Sequence, residues 1–290
     1  MINFIEKIIS IVSETIGLNK KTENKKIENK KRPKIGLAFG SGGPKGLAHI
    51  GVIKVLEKNN IPIDFIAGSS IGSMIGGFYA ATKDIKQIEK IALDADKKLI
   101  FSLIDFSFRQ GLICGNKVKN YIEKYINKIH FQDLKIPLSI VATNLKNGNA
   151  VVMNEGEVAL AVRASISSPL IFKPIKEKGK LLADGGLSVP VPVDIVKEMG
   201  ADIVIAVNLD TDYFGDDNNK NTDFGFYKIA NHSINLLCHH LALCNVKNAD
   251  IVVTPQTGDL HWGKFLDGKD VILAGEKAME DKLNELKKLF

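Results

Sequence analysis

The residues best suited to chemistry fall in three glycine-bearing clusters. Gly68-Ser69-Ser70-Ile71-Gly72 sets a glycine two before and two after Ser70, a frame that picks out this serine alone of the two. A nucleophile on a sharp strand-to-helix turn needs small residues at those two offsets, because the strained backbone there leaves no room for a side chain. Gly40-Ser41-Gly42-Gly43-Pro44-Lys45-Gly46 is a loop ahead of a helix N-terminus, where N–H groups can point into a cavity and favour negative charge. Pro44 has no N–H, so oxyanion donors should come from Gly42 and Gly43, while Gly40, Ser41, Lys45 and Gly46 support the loop. Asp184-Gly185-Gly186 follows the apolar run Leu181 to Ala183 and offers a carboxylate.

Each cluster also has a plainer reading. Ser70 could cap a helix, and Asp184-Gly185 is a strong turn signal. The glycine loop competes with a dinucleotide fingerprint, but Gly-x-Gly-x-x-Gly spacing is not met from Gly40, and no Gly-Lys-Ser/Thr follows to make a P-loop. Taken together the three supply a nucleophile, an anion-stabilising loop and a base, which are the parts of acyl transfer.

The elements that must hold them alternate in type. Strands are expected at Ile35 to Phe39, Asp64 to Ala67, Leu138 to Thr143, Ala150 to Met153, Leu181 to Ala183 and Asp202 to Asn208. Helices are expected at Lys45 to Lys58, Ile71 to Ala81, Ile85 to Leu99, Asn116 to Ile129, Val158 to Ile166, Val193 to Met199 and Asp270 to Leu289. This alternation predicts a three-layer α/β/α sandwich with a mainly parallel central sheet, whose sites gather at the C-terminal ends of strands.

In order and context the three motifs resemble those of the patatin-like phospholipases, and so do Gly46-Leu47-Ala48-His49-Ile50-Gly51-Val52, Arg163-Ala164-Ser165 running to Pro169, and Pro190-Val191-Pro192. The resemblance covers about residues 34 to 275 and is closest to the small bacterial members. It implies a Ser–Asp dyad of Ser70 and Asp184 without histidine, an oxyanion loop at Gly42 and Gly43, and a lipid or other acyl ester as substrate, with no cofactor and no metal. Many members carry an arginine where this chain has Lys45, which keeps the charge but loses the planar fork. Two rivals stand beside this reading. One is a Ser-Asp-His triad using His232, His239, His240 or His261; the other is a catalytically silent lipid- or nucleotide-binding module of the same fold.

Composition bounds the rest. The chain has 290 residues, 45% hydrophobic and 25% charged, enough for a substantial core. Between Lys20 and Lys34, seven lysines and Arg32 face only Glu23 and Glu28, so this stretch carries an excess equal to the whole formal charge of +6. The remainder is nearly neutral, which argues against nucleic acid as a partner. Ahead of the basic stretch, Ile2, Ile5, Ile9, Val12 and Ile16 recur at helical spacing opposite a polar face, without the unbroken apolar run of a membrane span or signal peptide. Residues 1–33 are therefore expected to form an amphipathic helix and basic linker, and 34–290 the hydrolase domain. Residues 1–34 either contact a membrane peripherally or pack against protein. Cys114, Cys238 and Cys244 make no disulfide framework, which fits the cytoplasm, with membrane association on its cytoplasmic face as the alternative. Cys238-His239-His240 with Cys244 matches no usual zinc spacing. Phe101, Phe106 and Phe108 are expected to line an acyl pocket or pack in the core, His49 to pack or hydrogen-bond, and Asp210 to Asp223 to form an acidic loop.

Overall fold

Ile35, Leu37 and Phe39 are fully buried on one face of β1 (Ile35–Phe39) and Ala38 on the other, as expected of a strand covered by helices on both sides. The computed structural model describes residues 32–95, 97–105, 113–210, 225–257 and 268–290. The expected N-terminal helix, nearly all of the basic stretch, Phe106, Phe108, His261 and positions 211–223 of the acidic stretch lie outside the described residues.

From β1 the chain passes through a 3₁₀ turn, Gly43–Leu47, into α1 (Ala48–Lys58), then β2 (Phe65–Ser69) and α2 (Ile71–Thr82). Next come α3 (Ile85–Leu93), α4 (Lys97–Ser102), α5 (Asn116–Ile126), β3 (Leu138–Asn144), β4 (Ala150–Met153) and α6 (Val158–Ser165). The second half holds β5 (Ile175–Glu177), β6 (Lys180–Asp184), α7 (Val193–Glu198), β7 (Ile203–Val207), α8 (Phe226–Asn245), β8 (Ile251–Val253), α9 (Gly268–Glu280) and α10 (Leu283–Leu286). The expected α/β sandwich is found. The eight strands form one sheet in which β3, β2, β1, β7 and β8 are parallel, while β4, β6 and β5 join antiparallel at the β3 end. Large aliphatics from β1, α1, α2 and α9 fill the core on one face. Small and β-branched residues, Ala38, Ala67 and Ala206 against Val193 and Val196 of α7, close the other.

Four expected helices end or begin differently, among them the one expected from Asn116 to Ile129, which ends at Ile126. Pro44 has no N–H to give, and the turn from Gly43 to Leu47 is 3₁₀ before α1 starts. The helix expected to Leu99 stops at Leu93, and a separate short helix, α4, starts at Lys97. The C-terminal helix breaks at Asp281 and Lys282, where Lys282 N–H bonds to Met279 O in a tightened last turn. Strands β5 and β8, three residues each, are too short to show a period in sequence.

The strand pairing sets up the site. β3 carries β4 along one edge, with Val141 opposite Val152 and Ala142 opposite Val151. Along its other edge β2 arrives parallel and stops with Ser69 beside Val141, and β6 arrives antiparallel and stops with Asp184 beside Ala142. Two strands running head to head along one neighbour thus bring the residues at their tips together.

Candidate active site

Ser70 follows the last residue of β2 and sits at the N-cap of α2 with φ 51° and ψ −123°, a left-handed conformation that costs a non-glycine residue about 1–3 kcal/mol. The turn is tight enough that a Cβ on Gly68 would lie 2.5 Å from Gly72 O, and one on Gly72 would lie 2.3 Å from Phe39 O. That crowding is the physical reason for glycine at both offsets. Four hydrogen bonds hold the strained backbone: Ser70 N–H to Ser165 Oγ at 2.9 Å, and Ser73 N–H, Ser73 Oγ–H and Met74 N–H to Ser70 O at 2.9, 2.6 and 3.3 Å. The Ser70 side chain makes no cap bond to its own helix. It donates instead to Asp184 Oδ2 at 2.7 Å.

Asp184 is 7% exposed. Its Oδ1 accepts Gly186 N–H at 2.8 Å, so the expected Asp-Gly turn is present and uses one carboxylate oxygen, leaving the other for Ser70. The backbone is pinned on both sides, with Asp184 N–H on Ser167 O at 3.0 Å and Thr143 Oγ1 on Asp184 O at 2.7 Å. Burial pushes the carboxyl up to about 6, the hydrogen bonds from Ser70 and Gly186 oppose this, and the negative charge of Asp210 adds to it. A carboxylate with such a value is a stronger base than an ordinary aspartate and remains ionised at neutral pH.

The glycine loop lies beside this pair. Gly40 N–H bonds to Val207 O and Ser41 N–H to Pro190 O, at 3.1 and 2.9 Å, whereas the N–H groups of Gly42 and Gly43 meet no acceptor among the described residues. Gly42 and Gly43 have φ of +156° and +55°, and a Cβ on Gly42 would come within 2.8 Å of Leu209. His49, fully buried in α1, donates from Nε2 to Gly40 O at 2.9 Å, and burial lowers its pKa to about 4, so it is neutral. It braces the loop from beneath. Gly186 comes close to Ser41, linking the loop to the Asp-Gly-Gly turn.

Several contributors were not legible as site residues. Ser165 and Ser167, at the end of α6, hold Ser70 and Asp184 respectively, and the buried Arg163 ties that segment down through Ser167 Oγ at 2.6 Å, Cys114 O at 2.5 Å and Lys173 O at 3.0 Å. Their only signal was the run Arg163-Ala164-Ser165. Asp210 follows β7, and its carboxyl is pushed up to about 6 by burial, against the charges of Lys45 and His239. Among the described histidines, His239 lies against the carbonyl of Asp210, and no histidine bonds to Ser70 or Asp184. Cys238 is half-buried, and burial followed by the charges of Asp184 and Asp210 pushes its thiol up to about 12. Phe101 is 71% exposed and packs in no core.

A family model described as patatin-like phospholipase matches residues 37–197, a span that includes the glycine loop, Ser70 and Asp184. The chain belongs to the patatin-like phospholipase family. Within it, an uncharacterized NTE family protein of Mycobacterium tuberculosis (strain ATCC 25618 / H37Rv) is 35% identical over 185 residues, 63% of this chain and 51% of the relative. Lysophospholipase NTE1 of Yarrowia lipolytica is 32% identical over 184 residues, covering 60% of this chain and 12% of that protein. The chain therefore spans about half the length of the mycobacterial relative. The patatin-like fold is shared with the crystal structure of VipD from Legionella pneumophila, at a TM-score of 0.56 and 14% identity over 88% of this chain and 67% of the other.

Proposed function

We propose that this patatin-like domain hydrolyses lipid acyl esters through a Ser70–Asp184 dyad and an acyl-enzyme. The observation that carries the reading is the direct 2.7 Å hydrogen bond from Ser70 Oγ to a buried Asp184 carboxylate whose pKa is raised toward neutrality. As Ser70 Oγ attacks the ester carbonyl carbon, its proton passes to Asp184 Oδ2. The carbonyl oxygen becomes an oxyanion that takes the N–H groups of Gly42 and Gly43, which have no partner among the described residues, as donors. Collapse breaks the ester C–O bond, and the leaving alkoxide takes the proton from Asp184. Water then gives a proton to Asp184, attacks the acyl carbon, and Ser70 recovers its proton as the fatty acid leaves.

The fungal relatives named lysophospholipase make a single-chain phospholipid the first substrate to test. Labelling by a fluorophosphonate probe should be abolished in Ser70→Ala, and hydrolysis of lysophosphatidylcholine should be abolished in Ser70→Ala and Asp184→Asn alike. His232→Gln, His239→Gln, His240→Gln and His261→Gln should each keep most of the activity. Loss at one of them would replace the dyad with a triad, and an unlabelled wild type would leave a silent lipid-binding module.

A further inference from the structure

Helix α8 is amphipathic in the reverse sense. A surface helix normally turns its apolar stripe to the core and its polar face to water. Here the inward row carries Asn231, Ile234, Cys238, His239 and Ala242, of which His239 and Ala242 are buried. The outward row carries Phe226, Ile229, Leu237 and Leu241, which are 85, 52, 65 and 38% exposed. Across its 20 residues the helix has no carboxylate, and Lys228 is its one lysine. No helix among the described residues is long and apolar enough to cross a membrane.

The inner face of α8 is a wall of the site. His239 meets the carbonyl of Asp210, and the helix packs on the Gly185–Leu187 turn directly after Asp184. Its apolar outer face lies on the opposite side of the same helix, about 10 Å from that wall. A 20-residue helix is about 30 Å long and about 10 Å across, so the face measures about 300 Å², well short of the about 800 Å² per partner that a stable protein interface requires. A lipid surface sets no such minimum. A helix that exposes aliphatics and an aromatic, and brings no acidic residue toward phospholipid headgroups, matches it in polarity and in charge.

We infer that α8 is an interfacial docking helix, laying Phe226, Ile229, Leu237 and Leu241 into the lipid surface from which the ester is drawn. This rests on the acyl-hydrolase reading above.

The full chain is mixed with vesicles of phosphatidylcholine and phosphatidylglycerol and sedimented, as wild type, L237E/L241E and L237W. Hydrolysis of water-soluble p-nitrophenyl butyrate is measured alongside. The wild type should sediment with the vesicles, L237W at least as strongly, and the double variant about tenfold more weakly or worse, with its soluble-ester rate near wild type. If the double variant loses the soluble-ester rate as well, the milder L237Q must show the same weakening with that rate retained. Equal sedimentation of wild type and L237E/L241E overturns the inference, as does a wild type that stays in solution. So does a wild-type dimer that the double variant converts to monomer, by light scattering, with unchanged vesicle binding, since a second copy would then cover the face. A wild type that hydrolyses no soluble ester sinks the acyl-hydrolase reading instead, and the sedimentation result stands apart from it.

Discussion

Ser70 and Asp184 are 114 residues apart in sequence and 2.7 Å apart in space, because β2 and β6 run head to head along one edge of β3 and stop beside the consecutive residues Val141 and Ala142. Neither side chain needs to travel to meet the other.

The rate should follow ionisation of Asp184. With its carboxyl raised to about 6, kcat/KM for a soluble ester should climb as pH rises through about 6 and level off above it. The negative charge of Asp210 contributes to that rise, so Asp210→Asn should move the inflection to lower pH. An inflection left in place by this variant would show that Asp210 does not act on the base.

Stability should carry the opposite sign. A buried carboxyl whose folded-state pKa lies above its unfolded value favours folding fully below about pH 4, and this contribution is lost as pH rises through about 6. Asp184→Asn removes the cost of a buried charge but gives up one of two hydrogen bonds, so at about pH 7.5 it should be about 1–2 kcal/mol more stable than wild type. Urea denaturation should show the difference reversing in sign toward about pH 4, where the wild-type carboxyl is protonated and only the lost hydrogen bond separates the two.

Ser165 is a positioning residue for the elbow. Ser165→Ala leaves the Ser70 N–H without its acceptor, where burial makes an unsatisfied donor cost about 1–3 kcal/mol. With the strained turn loosened, kcat should fall about tenfold while KM stays within about twofold, since the ester does not touch Ser165 in the proposed mechanism. An equal change in KM and none in kcat would place Ser165 in substrate binding instead.

The loop donors should matter nearly as much as the dyad. Gly42→Ala forces a Cβ to within 2.8 Å of Leu209 at a backbone angle that disfavours any side chain, so the N–H must shift. Loss of one oxyanion donor typically costs about 10²–10³ in kcat. A steady-state comparison with wild type on one soluble ester checks this.

The local parts of the site are written in short windows of sequence. Gly68 and Gly72 frame Ser70 because the chain folds back on itself there, a constraint that acts within a few residues. Strands such as β3 and helices such as α2 are likewise legible from runs and periods of apolar residues. Helix α8 was not, because Phe226, Ile229, Leu237 and Leu241 face outward while Asn231 and His239 lie on the inward row, so period alone gives no core face. What only the tertiary structure decided is which distant groups meet. The pairing of β2 and β6 on one edge of β3 gives Ser70 its carboxylate, the end of α6 gives it Ser165, and burial raises the pKa of Asp184. Hydrogen bonds across a sheet and desolvation depend on what the rest of the chain packs around a residue, and no spacing along the chain records that.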